Sequence, residues 1–399
     1  MGIFSRLFSK MGGRGARALH MVIEIAPEGV QALIFTVSRE GMPRVVRKIA
    51  LETGSAAAGI GMEAHGSEEM RRTAGLLHDL LLRVVRQFGV LPRVVIGIGT
   101  FHEMITFQEI AVRIDRPQKH YSGRMLEEYL RGAAESRGEG GNAWRVFPVR
   151  IIANGYETDA KILSRGDAAG VKELVFPSVV MNLPEELSAS FEGVTSMWGG
   201  IAVEFVPLQI LLLDAFMKNG SLGDALMILL DRTHTLLLLF RDQKLLSFAS
   251  FAHGSDEMVR HAAKNQELSF KDGRARVREY TQGFEMPGGK IRLGQALEEA
   301  ARVWKKYLLD ALDGLYHLGP LPADVILFGE GGRIPEVRRA LSAEDWLGHY
   351  SFAATPHVRL LQGQALFQGD SLAGALGGPE DVPLAALMGY SLHKRSLFI

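Results

Sequence analysis

The stretch ALMILLDRTHTLLLLFRDQKLL, residues 225–246, sets the polar residues Asp231, Arg232, Thr233, His234 and Thr235 between the apolar runs LMILL and LLLLF. Short apolar runs bounded by turn signals read as buried strands. The spacing predicts strands at 225–230, 235–240 and 244–250, with RDQ as the turn before the third. The break at 231–235 has two readings. It is a plain hairpin turn, or it is what remains of a catalytic loop.

The same pattern occurs earlier in the chain. LHMVIEI (19–25), VQALIFTV (30–37) and PRVVRKIAL (43–51) read as three strands, with SREG (38–41) as a turn. Glu24 and Asp231 hold matching places at the end of the first strand of each set. Two copies of one unit predict two lobes with a cleft between them.

Between the copies, residues 52–67 are rich in Gly, Ala and Ser and read as a loop. An amphipathic helix follows, with Leu76, Leu77, Leu80, Leu81, Val84, Val85 and Phe88 on one face. It feeds the apolar strand VVIGIG, 94–99, which implies a sheet covered on both sides. From 101 to 208 the texture changes to strands at 103–114, 144–153, 171–182 and 201–206, with a helix near 120–136 and an exposed loop SRGEGGN at 136–142. After the second strand set come helices at 255–265 and within 271–318, the strand DVILFG (324–329), a glycine turn and a terminal apolar helix, VPLAALMGYSLH.

Composition sets limits. The chain has 399 residues, 47% hydrophobic and 23% charged, which suits a globular protein with a sizeable core. Lys plus Arg equals Asp plus Glu at 45 each, so no basic excess points to nucleic acid. Cysteine is absent, which excludes disulfides and thiolate metal sites and suits a reducing compartment. No apolar run approaches the roughly 20 residues of a membrane span, and MGIFSRLFSK lacks the apolar core of a signal peptide. The expectation is a cytoplasmic protein. Its first 18 residues are basic and amphipathic: Ile3, Phe4, Leu7 and Phe8 recur at helical spacing beside Arg6 and Lys10. This segment reads either as a short helix in a lipid headgroup layer or as a frayed basic tail. At the other end, Lys394, Arg395, Leu397 and Phe398 form at most a minimal anchor.

The order of elements resembles the actin-like ATPase superfamily, and more narrowly its FtsA and PilM branch. The resemblance rests on the opening MGIFSRLFSK before a hairpin, on the run FRDQKLLSFASFAHGSDEMVRHAAK, and on the glycine turn after 324–328. It implies an α/β, two-lobed, ribonuclease H-like fold with an inserted α+β subdomain of the SHS2 or 1C type. Mapped onto this chain, the lobes are 19–100 and 209–270, the insert 101–208, a helical subdomain 271–320, and the rest of the second lobe with its C-terminal helix 321–399. It also implies ATP and Mg²⁺ in the cleft.

Three motifs would hold the nucleotide. The first family loop reads Asp-x-Gly with a cation five residues on; here stand Glu24, Ala26 and Gln31, with Glu28 adding negative charge. In the second, Asp231 keeps its place but Thr233 occupies a glycine position, and the loop is about two residues short of the family pattern. Cradling phosphate takes successive inward N–H groups and glycines at positive φ, and DRTHT supplies neither. The third is best kept: Gly329, Gly331 and Gly332 precede Ile334-Pro335, although a structural strand–turn–helix explains such a run equally well. No HExxH pair, Walker A loop or G-x-S-x-G elbow is present.

The resulting expectation is an adaptor at the inner face of the cytoplasmic membrane, with little or no ATP hydrolysis. It would recruit a membrane-associated protein partner in division or pilus assembly and touch the membrane surface. Self-association into dimers or protofilaments also follows from the resemblance. The alternative is an active ATPase whose nucleotide state controls assembly. A two-lobed α/β protein whose glycine turns serve packing alone is a third reading.

Overall fold

The computed structural model describes residues 19–392 except 27–28, 39–40, 53–64, 89–92, 100–103, 137–143, 167, most of 183–202, 220–222, 285–289, 343–347 and 368–371. The basic N-terminal segment with Ile3, Phe4, Arg6, Leu7, Phe8 and Lys10, the C-terminal Lys394 to Phe398, Glu28, and nearly all of the loops expected at 52–67 and 136–142 lie outside the described residues.

The repeat is real at the level of strand order. β1 (Leu19–Ala26), β2 (Gly29–Val37) and β3 (Pro43–Glu52) form an antiparallel meander, and β4 (Arg93–Ile98) and then β10 (Val203–Pro207) add parallel to β1. The second sheet repeats this order. β11 (Ala225–Leu230), β12 (Thr235–Arg241) and β13 (Lys244–Phe251) form the meander, and β14 (Asp324–Phe328) and β15 (His357–Leu360) add parallel to β11. Every residue of β11 is buried, as an apolar run covered on both faces requires.

Helices cover those faces. On the outer side of the second sheet, Leu226, Ile228, Leu237 and Leu239 pack with α5 (Ser255–Asn265), α7 (Lys290–Tyr316) and α8 (Pro335–Ser342). On the inner side, Met227, Leu229, Leu236 and Leu238 share one cluster with Met21 and Ile23 of the first sheet. The same cluster takes in α4 (Leu208–Asn219) and α9 (Val382–Leu392), which pack on each other and on β4. The C-terminal helix, expected with the second lobe, therefore lies against the first sheet. Helix α1 (His65–Phe88) buries Leu77, Leu80, Leu81 and Val84 on the predicted face.

The inserted block holds a third sheet: β5 (Ile105–Arg113), β6 (Trp144–Pro148), β7 (Ile151–Ala153), β8 (Tyr156–Thr158) and β9 (Glu173–Asn182). Helices α2 (Gly123–Ser136) and α3 (Ala160–Arg165) cover one face, with Leu126, Leu130 and Leu163 on Ile110, Leu174 and Phe176. Three expectations change here. The single strand expected at 144–153 is two, because Pro148 has no N–H to continue the ladder, and the pairing with β9 slips by one residue between Pro148↔Ser178 and Ile152↔Val175. The strand expected at 201–206 is β10, which leaves the insert and closes the first sheet. The residues after it, expected to open the second lobe, form α4 on the first sheet. LQILLLDAFMKN is apolar on all sides, so no helical stripe marks it.

Candidate functional site

The ends of β1 and β2 and the end of β11 with the turn after it line one cavity of about 380 Å³. That volume falls within the range of ordinary small-ligand pockets, so the chemistry of its lining decides what it can hold. Glu24, Ala26, Asp231 and Gly329, four of the residues expected around a nucleotide, line it. Thr233, Gly331 and Gly332 are not among the lining residues.

The second loop is a compact four-residue turn. The Asp231 N–H donates to the His234 carbonyl at 3.0 Å, and no residue from 231 to 234 has positive φ. Thr233 Oγ1 pairs with His234 Nδ1 at 2.8 Å instead of facing the cavity. The turn also caps α5. The first N–H groups of that helix, Ser255 and Asp256, donate to the carbonyls of Asp231 and Arg232, each at 2.8 Å. A free helix N-terminus is an anion site because its N–H groups lack partners; here the turn has taken them. Gly254 makes the close approach possible, since a Cβ there would stand 2.3 Å from the Arg232 carbonyl oxygen. Behind the turn, Trp304 Nε1 donates to Thr235 Oγ1 at 2.9 Å, and Thr235 donates to the His253 carbonyl at 2.7 Å.

The glycine turn after β14 has a packing role at each position. Gly329 adopts φ 91°, and a Cβ there would sit 2.4 Å from the Leu230 carbonyl oxygen. A Cβ on Gly331 would meet the Leu230 side chain at 2.3 Å, and one on Gly332 would meet Leu360 at 3.0 Å. These glycines bring the end of β14 against the end of β11.

Charge in the cleft comes mostly from residues the motif reading did not single out. Lys48, on β3, pairs with Asp381 just before α9. Arg232 reaches Asp256 at 3.3 Å and Glu52 at 3.5 Å. Arg274, on α6 (Phe270–Thr281), contacts both oxygens of Glu330 at 3.1 Å and lies 3.8 Å from Glu52. Arg333 forks onto Glu380 at 2.7 and 2.6 Å. Burial alone would raise Glu380, but this fork and the nearby Lys48 hold it below the usual carboxylate value. Glu52 therefore ties the first lobe to two arginines of the second.

Glu24 behaves differently. It is 5% exposed, and its Oε2 has no hydrogen-bond partner. Burial, followed by the charge of Asp231, pushes it well above the ordinary carboxylate value; Lys48 acts in the opposite sense and Asp381 adds a smaller upward push. Glu24 is thus biased towards its protonated form beside an acid. Among the described residues, no group of three or more His, Cys, Asp or Glu side chains is arranged to hold a metal ion. No described helix is long and apolar enough to cross a membrane.

No family model matches the chain, and no curated protein matches it. Among solved structures it is similar to the PilM-PilN type IV pilus biogenesis complex, at 16% identity over 94% of this chain and 98% of that chain, with a TM-score of 0.59. Weaker likenesses are the ethanolamine utilization protein EutJ from Carboxydothermus hydrogenoformans (10% identity, 94% and 90% covered, TM-score 0.43) and a diol dehydratase-reactivating factor in nucleotide-free form (9%, 94% and 99%, 0.45). At such identities the likeness is one of fold. The chain has the actin-like ATPase fold, with a PilM-like structural relative.

Proposed function

We propose that this actin-fold chain is a cytoplasmic adaptor at the inner face of the membrane, which recruits a membrane-associated protein partner and neither needs nor turns over ATP. One observation carries the reading: the carbonyls of Asp231 and Arg232 accept from the first N–H groups of α5, in the place where the expected phosphate loop would offer free N–H groups. The cleft charges point the same way. Lys48, Arg232, Arg274 and Arg333 already have carboxylate partners, so a polyphosphate would have to break those pairs and leave carboxylates facing it. Such exchanges are unfavourable unless new contacts exceed the old. Burial and Asp231 raise the proton affinity of Glu24, so Mg²⁺ would have to displace a more tightly held proton there. The partner half of the reading is supported by the similar structure, a complex of PilM with PilN in pilus biogenesis.

Isothermal titration with ATP and Mg²⁺ tests the first half. The expected result is no heat and no thermal shift. Micromolar binding would refute it and favour the ATPase reading, in which Asp231→Ala abolishes turnover.

A further inference from the structure

The inserted sheet presents different chemistry on its two faces. Phe107 stacks edge-on to Phe248 of β13, with ring centres 6.1 Å apart, and Glu157 pairs with Lys244 at 2.6 Å. That face is turned to the second lobe. Strand alternation puts the neighbour of Glu157, Tyr156, on the opposite face. Its register agrees: Tyr156 pairs with Ala153, and Ala153 with Leu174, which is buried under the helices of the insert. Tyr156 is nevertheless 80% exposed, at the open edge beside α3.

Helix α3 continues that surface. Leu163 points into the core. Lys161 and Arg165 flank it two positions either side, about 200° round the helix and hence outward. Ile162, between those directions, is 60% exposed. The segment 116–121 runs alongside: the Tyr121 N–H donates to the Leu163 carbonyl at 2.9 Å, His120 Nδ1 contacts the Gly166 carbonyl at 2.8 Å, and the Ala168 N–H donates to the Lys119 carbonyl at 2.9 Å. This brings the exposed Lys119 to the C-terminal end of α3, and Arg116, three residues earlier, is exposed as well. None of Arg116, Lys119, Lys161 and Arg165 has an ion-pair partner among the described residues, whereas most cleft cations have one. Of the nearby acids, Asp159 is engaged by the Ile162 N–H at 2.7 Å and Asp115 is exposed; Asp167 lies outside the described residues.

From this we infer that the outer end of the inserted subdomain is a docking surface for an anionic lipid bilayer, with Arg116, Lys119, Lys161 and Arg165 against the headgroups and Tyr156 and Ile162 entering the interfacial layer. Long, unpaired cations bracketing an exposed tyrosine and an aliphatic side chain match the chemistry of a headgroup zone. An acidic protein segment would satisfy the same charges, and the test below separates the two occupants. The inference goes beyond the adaptor reading. It involves neither the cleft nor the N-terminal segment, so either can fail alone.

The test is flotation of the full chain with phosphatidylcholine vesicles, with and without phosphatidylglycerol. The full chain should float only with the anionic vesicles, and less so as salt rises. Each cation near an anionic surface contributes about 1 kcal/mol, so the double variant Lys161→Glu, Arg165→Glu should lose at least roughly 30-fold in partition coefficient. Tyr156→Ala should weaken binding further at unchanged salt dependence. These positions are exposed, and an unaltered melting temperature serves as the folding control. Full binding by the charge-reversed protein overturns the inference, as does equal binding of the wild type to neutral vesicles. If the reversal spares vesicles but abolishes binding to an acidic peptide, the surface is a protein dock and the lipid assignment falls.

Discussion

Replacing Glu24 by Gln removes a cleft carboxyl whose proton affinity burial and the charge of Asp231 raise. Glu24 sits at 5% exposure with an unpaired Oε2, and burial and Asp231 hold its ionisation well above the ordinary range. In the unfolded chain a glutamate ionises near about pH 4.3. Above that pH, and until the folded-state value is passed, the native protein carries one more proton here than the unfolded chain does. Native stability must then fall as pH rises, by about 1.4 kcal/mol per pH unit from this residue alone. Gln has the shape of the protonated acid and cannot ionise, so the variant lacks that slope. Its amide can also donate towards Asp231 or Asp381. The assay is urea denaturation of both proteins from pH 5 to pH 8, followed by tryptophan fluorescence, with equal m-values as the check that unfolding is comparable. Subtracting the curves cancels the titrating groups that do not interact with Glu24. The variant should gain on the wild type as pH rises from the ordinary glutamate value towards the raised native one. A difference that stays flat, or one that turns against Gln as pH rises, would show that the native state does not raise the proton affinity of Glu24.

Gly254→Ala places a Cβ against the backbone of Arg232 and Thr233. Overpacking of this kind costs about 1–3 kcal/mol, and loosening the two helix-capping hydrogen bonds adds roughly 1–2 kcal/mol; thermal or urea unfolding should show a loss of several kcal/mol, and a change within error would mean that the turn does not sit on α5. Deleting residues 2–11 should reduce co-sedimentation with anionic liposomes, because Ile3, Phe4, Leu7 and Phe8 are the apolar side chains of the basic N-terminal segment. Equal binding by the truncated chain would assign that segment to a plain tail.

The lobes were legible because the inner strands β1, β2, β11 and β12 are buried on both faces and therefore appear as apolar runs. Both meanders, the buried helix face on α1 and the placement of Glu24 and Asp231 by the cleft follow from patterns within a few dozen residues. What stayed hidden has a common cause. Lys48 and Asp381 are 333 positions apart, and Arg333 and Glu380 are 47 apart; no local spacing signals either pair. β15 is four residues long and half-exposed, so it lacks both a run and an alternation. The glycines at 329, 331 and 332 stand where a nucleotide motif would place them, yet each also lies against Leu230 or Leu360. A glycine pattern records that backbone comes close to something, and only the fold says what.

A cleft without a nucleotide need not be a cleft without a purpose. If ATP were the only link between the lobes, losing its loops should have left the lobes free to drift apart. Here other links are present. Helices α4 and α9 lie in one apolar cluster with the inner faces of both sheets, and burial of that kind contributes about 25 cal/mol per Å² of apolar surface. Across the open side, Glu52 meets Arg232 and Arg274, and Lys48 meets Asp381. Exposed pairs like those of Glu52 contribute at most about 1 kcal/mol each, far less than the shared core. The core therefore sets the lobe arrangement, and the ion pairs serve mainly to keep the cleft charges compensated. On this balance the lobes keep their relation without a ligand, which is what the proposed adaptor role requires of them.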